Sequence, residues 1–410
     1  MIRETGERIT ASSDFSNFYL LSTLYSVYPK ENLYVHEEIL FFLAVLNSNV
    51  AQFYMRELVF SLTAGAFTKA RGNHYERLPI RRINFTTPTT ERERLKQKAV
   101  GAYGIGDNAG VFRHVQAYVD ADKTDVIHDL LVHLTQRMID LNKQKQAEVK
   151  RFLAWVEKRL TIQQKNSAIG IDSLTGKTVL QGYLGDYQKG EDELPWPEFH
   201  YRLYQNRNRF AVSLSDVEGE IQREYEKSLE TLIPIKRDLA RTDALIDKIV
   251  YRLYGLTDEE IELIERPQYE QALADAKAQV VADEEIKDDE EKIEKIAAGI
   301  LPAAKRFFER VEPKSVEAML DSELPTWRSL PPDAPTFLLT GDYNLHTLPE
   351  HMDFSSSIIP YTKAVETVLY ESIFAPFRDG SGYAEADCNN EFLKDFMRGK
   401  KKLTLGSNSR

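Results

Sequence analysis

At 410 residues the chain is long enough for two or three domains and a sizeable core. Its formal net charge of −11, from 53 Lys and Arg against 64 Asp and Glu, excludes a uniformly basic protein that coats nucleic acid. The single cysteine, Cys388, excludes an intrachain disulfide and makes a reducing cytoplasm the expected setting.

No apolar core of a signal peptide follows the charged stretch from Arg3 to Arg8. The longest apolar run, residues 39–46, falls far short of the roughly 20 residues that span a bilayer, so no membrane partner is expected. Up to about Phe85 strand-like and helical patterns alternate. Ile39, Phe42, Leu43, Leu46, Val50 and Phe53 recur at helical spacing, which predicts one helix with one face in a core. A basic stretch follows a Gly-containing turn, and in it Lys69, Arg71, Asn73, His74, Tyr75, Arg77, Arg81 and Arg82 crowd one loop and strand. Cations meet phosphate, while amide and aromatic groups reach base edges, so this is the chemistry a DNA-reading loop requires. A solvated basic loop is the bland alternative. The charge is local: cations exceed carboxylates from Arg56 to Lys98, which suits a sequence reader better than a nonspecific coater.

Residues 86–110 carry Thr-Thr-Pro-Thr-Thr and a Gly/Asn-rich stretch and read as a linker. From Thr124 the residues Ile127, Leu130, Leu131, Leu134, Met138, Leu141, Phe152, Val156 and Leu160 form one stripe with a polar gap near Lys145. That helix would be on the order of 50 Å long. Residues 168–187 read as a hairpin or ordered loop. A second helix is expected from a capping box at Ser215 and Glu218, with a kink or break at Pro234 and a stop at Gly255. Thr257 and Glu260 form another capping box. Residues 275–295 read as a solvated helix or linker. After Pro302 comes a mostly helical unit punctuated by Pro325, Pro331, Pro332 and Pro335.

The order of phrases carries more than composition does. Leu46-Asn47-Ser48, then Phe53-Tyr54, then Leu78-Pro79-Ile80 resembles the TaqI-like C-terminal specificity domains of restriction–modification N6-adenine methyltransferases. The stretches from Arg3 to Ile9 and from Tyr19 to Leu24 look like the strands that open such a domain. The run from Ile246 to Thr257, with Tyr251, Tyr254 and Gly255, is similar to how these modules finish, a structural helix end. Lys363 to Val368 and the closing residues 399–406 faintly resemble HEPN-like helical domains, and the last unit reads as cut short.

The resemblance implies an α+β chain: a small mixed α/β target-recognition subdomain, a long-helix bundle and a mostly helical C-terminal domain. The expected boundaries are 1–98 for target recognition, 99–123 for a linker, 124–266 for the helical part, 267–301 for a charged helix or linker and 302–410 for the last domain. Lys69, Arg71, Arg77, Arg81 and Arg82 would neutralise phosphate or bind guanine, Asn73, His74 and Tyr75 would contact base edges, and the long helices would clamp the duplex.

Catalytic chemistry is missing from the residues. The flipped adenine of a methyltransferase is held by a polar residue, two prolines and an aromatic, yet Pro331-Pro332 is flanked by Leu330 and Asp333. Tyr103-Gly104-Ile105-Gly106 follows no apolar strand and cannot serve as the S-adenosylmethionine turn. No magnesium-nuclease triplet, HEPN ribonuclease signature or metal-ligand spacing of histidines is present. The expectation is therefore double-stranded DNA recognition with no cofactor on this chain, S-adenosylmethionine belonging to a separate methyltransferase catalytic subunit or domain. The competing expectation is a non-catalytic helical interaction or oligomerisation protein with a vestigial recognition domain.

Overall fold

The computed structural model describes residues 1–3, 9–13, 24–27, 36–56, 75–163, 168–281, 289–348 and 355–380. Lys69, Arg71, Asn73 and His74 lie outside them. The chain divides into two compact units, residues 1–256 and 257–410. The described residues are predominantly helical, with one two-stranded sheet.

The first unit begins with a small head. Strand β1 (Ile2–Arg3) pairs antiparallel with β2 (Leu24–Tyr25), and its other edge meets residues 10–12 through Arg3 N to Thr10 O and Ser12 N to Met1 O, both 2.9 Å. Helices α1 (His36–Asn47) and α2 (Asn49–Met55) replace the single helix expected here. They bend by 59° at Ser48, whose extended backbone starts α2 while its hydroxyl turns back to Val45 O at 2.7 Å.

Beyond the head lies a bundle of α3 (Thr89–Gly104), α4 (Asn108–Asp120), α5 (Thr124–Leu160) and α8 (Leu214–Tyr254). The linker expected over 99–123 is a correction: Ala99, Tyr103, Val111, Val115 and Tyr118 are all buried in the same core as α1, α5 and α8. Buried Asp125 holds the preceding Thr86 and Thr87 by both backbone N–H groups and the Thr87 hydroxyl, at 2.7–3.0 Å.

Helices α5 and α8 run antiparallel. Arg137 reaches Asp238, Arg151 reaches Glu224 and Arg159 reaches Glu220, so one partner's number falls as the other's rises. At 1.5 Å per residue the 37 residues of α5 extend about 55 Å. A second core covers the far end of this pair. Phe152, Val156 and Leu160 pack there with Tyr183, with Leu180 of α6 (Lys177–Gln181), with Phe199 and Leu203 of α7 (Trp196–Gln205), and with Val217, Ile221 and Tyr225 of α8.

Two details of α8 differ from the sequence reading. It starts at Leu214, which is buried with Val217 and Ile221, so Ser215 lies inside the first turn and the Ser215–Glu218 box does not form. It also runs unbroken through Pro234. Pro234 and Glu230 are both exposed, so the carbonyl that Pro234 leaves unpaired can bond water. The helix ends where expected, at Gly255 with φ +70°, a conformation that costs glycine nothing for lack of a Cβ.

The second unit is helical throughout its described residues: α9 (Asp258–Val281), α10 (Asp289–Arg310), α11 (Lys314–Glu323), α12 (Ala334–Thr347), α13 (Ser355–Leu369) and α14 (Ala375–Gly380). Its opening capping box forms as read: Thr257 N–H donates to Glu260 Oε2 at 2.8 Å and Glu260 N–H to Thr257 Oγ1 at 3.2 Å. The start of a unit only after 302 is corrected, since the second compact unit begins at Thr257. The segment expected to be solvated buries Ala276 and Val280, while 291–295 stay largely exposed. Ala276, Val280, Ile296, Ala297 and Ile300 are buried, and Tyr269 stacks on Phe307 with ring centres 4.4 Å apart.

Candidate nucleic-acid interface

The head is held together by side-chain amides. Asn47 Oδ1 accepts from Ala11 N at 2.9 Å, and Asn47 Nδ2 donates to Ala11 O at 3.1 Å. Gln52 repeats this with Ile9, at 2.7 and 3.1 Å. Residues two apart in an extended chain present their N–H and C=O groups to one side. Asn47 and Gln52, on either side of the Ser48 bend, therefore satisfy the outer edge of segment 9–11 as a neighbouring strand would. A carboxamide carries a donor and an acceptor side by side without a charge, which matches the N–H and C=O of one residue. Asp247 Oδ1 accepts from Asn49 N at 2.8 Å, which ties the start of α2 to α8 and sets a carboxylate at a helix N-terminus.

This frame fixes the basic segment. Tyr54 donates its hydroxyl to Arg77 O at 2.8 Å. Tyr254 donates to Pro79 O at 2.8 Å and accepts from Arg81 N at 3.2 Å. Leu78 is buried among Ile2, Ile9, Leu46 and Met55, with Ile80 partly buried beside it. With the backbone pinned at three points and the apolar side chains turned inward, Arg77, Arg81 and Arg82 are exposed. Among the described residues no carboxylate pairs with any of the three. Such guanidinium groups, on a rigid strip and with their donor forks free, can meet phosphate oxygens or the O6/N7 edge of guanine.

Tyr75 differs from its expected role. It is half-buried, packs edge-on against Tyr25 at 6.3 Å and directs its hydroxyl to Arg3 O at 3.5 Å. Burial, then the neighbouring Tyr25 phenol, pushes its pKa up to about 12, so it stays neutral. The geometry makes it a packing residue of the head. Arg3, read from sequence only as part of an opening strand, is exposed, and its backbone carbonyl faces Tyr75.

Three of the histidines have local structural surroundings. His128 is buried between Phe41 and Phe85, at 4.8 and 5.0 Å, with Nδ1 against Asp129 at 2.9 Å. Burial lowers the pKa of His133, with Lys96 and Arg137 adding to the effect. His346 bonds Asp342 O one turn back, at 2.8 Å. No group of three or more His, Cys, Asp or Glu side chains is placed to hold a metal among the described residues.

Set against known proteins, residues 1–80 match the family of TaqI-like C-terminal specificity domains, which is 80 of the 410 residues. The match ends at Ile80, within the pinned segment that carries the arginines. No curated protein and no solved structure matches the chain. The single helices are all too short or too polar to cross a membrane, again among the described residues.

Proposed function

We propose that the head reads a sequence in double-stranded DNA on behalf of a restriction–modification or phage-defence methyltransferase. The observation that carries this reading is a coincidence in space. The segment at the end of the specificity-domain match is held by Tyr54, by its own buried Leu78 and by Tyr254, and it offers Arg77 and, just past the match, Arg81 and Arg82 to solvent without carboxylate partners among the described residues. Lys69, Arg71, Asn73 and His74, immediately before it in sequence, are proposed to act with these arginines. Arginine and lysine would position the backbone and read guanine, and Asn73 and His74 would discriminate bases. Methyl transfer from S-adenosylmethionine is assigned to a catalytic part other than residues 1–410.

Binding of Arg77→Ala, Arg81→Ala and Arg82→Ala to duplex DNA at several salt concentrations tests the reading. Each lost phosphate contact is expected to flatten the log–log salt dependence by about 0.9. A lost guanine contact is instead expected to cost about 1–3 kcal/mol on the preferred sequence and little on scrambled DNA. Unchanged affinity and slope in all three variants would favour the helical interaction protein.

A further inference from the structure

The polar gap near Lys145 interrupts the apolar stripe of α5 between its two cores, and the structure gives it a shape. A cleft of about 1210 Å³ lies there. One wall is the outer segment of the head, with Thr10, Ser12 and Asn47. The other is the loop of residues 182–188 at the far end of the long pair. The floor is α5 from Gln136 to Lys150, about 21 Å of helix at 1.5 Å per residue.

Lys143, Lys145, Lys150 and Lys236 line this cleft together with Asp186, Glu191, Asp243 and Asp247. Lys143 and Lys150 are exposed, and Lys145 is half-buried. None of the three has an ion-pair partner among the described residues. The carboxylates that line the cleft are already engaged. Asp247 accepts from Asn49 N, Asp186 from Gln188 N at 2.9 Å and Glu191 from Asp186 N at 3.0 Å, and Asp243 is not free either. Lys236, on the α8 side, donates to the carbonyls of Leu184 at 2.8 Å and Glu191 at 2.6 Å and so holds the loop in place. Lys143 and Lys150, seven residues apart, share one helical face about 10.5 Å from each other along the axis. That is close to three base-pair rises at about 3.4 Å per step of one strand. Burial lowers the pKa of Lys145, and Asp186 opposes the effect without forming an ion pair with it. A desolvated ammonium without a carboxylate gains most from an incoming anion.

We infer that this cleft seats the phosphodiester backbone of duplex DNA flanking the sequence read by the head, with Lys143, Lys145 and Lys150 as its phosphate contacts. The inference rests on the DNA-reading function proposed above and extends it from the recognised bases to the neighbouring backbone. The cleft begins at the head's own edge, at Thr10 and Ser12, and carries Lys143, Lys145 and Lys150 farther along its α5 floor.

The test uses the full chain, with Lys143→Ala and Lys150→Ala combined, and duplexes enriched from a random pool. One duplex spans about one helical turn around the enriched site and the other about three turns. Both lysines are exposed, so the thermal transition is expected to match that of the unsubstituted protein. On the long duplex the variant is expected to lose about tenfold or more in affinity, and its salt slope to fall by about 1.8, two contacts at about 0.9 each. On the short duplex it is expected to bind as the unsubstituted protein does. An unchanged slope and affinity on the long duplex would overturn the inference while leaving the arginine results, and the function proposed above, standing. If the unsubstituted protein binds neither duplex, both fall. Competition by polyglutamate but not by the long duplex would also overturn it, marking the cleft as a seat for acidic polypeptide.

Discussion

At the scale of single residues, the head depends on polar side chains that satisfy backbone groups from a distance. Gln52 is buried and bonds both the N–H and the C=O of Ile9, so Gln52→Leu would leave two main-chain groups unpaired behind it. A buried polar group without a partner costs about 1–3 kcal/mol. The variant is expected to unfold at lower urea concentration by that order, with the loss of hydrogen-exchange protection confined to residues 1–3, 9–13 and 75–80. Protection equal to that of the unsubstituted protein would mean that the amide bonds contribute nothing. Tyr54 and Tyr254 act similarly on the basic segment, through carbonyls 77 and 79. They hold the backbone from which Arg77 and Arg81 project.

Elements show how far local pattern reaches. The Thr257–Glu260 capping box and the stop at Gly255 depend only on nearby residues, and both form. The Ser215 box has equally good local credentials, but starting there would leave Leu214 outside the helix that buries it beside Val217 and Ile221. Burial of the apolar register outweighs the cap. In residues 99–123 the glycines suggested a linker, although Val111, Val115 and Tyr118 already stood at helical spacing. What could not be read locally is the partner of Thr86 and Thr87, since Asp125 lies 38–39 residues on. The long-range contacts of the head were not legible in the sequence. Asp247 with Asn49 and Tyr254 with Pro79 are 198 and 175 residues apart in sequence.

Pro234 is the element-scale prediction. In a helix interior proline is about 3 kcal/mol less favourable than alanine. Its exposed position lets water bond the freed Glu230 carbonyl and recovers part of that cost. Pro234→Ala is therefore expected to stabilise the long pair by between about 1 and 3 kcal/mol, read as a higher urea midpoint. A lower midpoint would show that the proline is needed for a bend that the unbroken helix does not reveal.

For the whole molecule, the matched residues 1–80 and the cleft both fall in the first unit. Within it the head supplies exposed arginines on a pinned strip, without ion-pair partners among the described residues, and α5 supplies lysines along a cleft that starts at the head's edge. The net charge of −11 conceals both, because acidic residues elsewhere outweigh them. Of the eight residues assigned to DNA from sequence, three arginines stand exposed on one segment, Tyr75 serves the core, and four lie outside the described residues. The cleft lysines were visible only as a gap in a stripe, and their relation to the head needed the antiparallel pair to be in place.

Selection from a pool of random duplexes, followed by sequencing of the retained DNA, tests the central claim most directly. The unsubstituted chain is expected to enrich one sequence, and the Arg77→Ala, Arg81→Ala, Arg82→Ala combination to lose that enrichment while keeping its thermal transition. Retained DNA with the same composition as the starting pool, from a folded and unsubstituted chain, would contradict sequence reading by this protein.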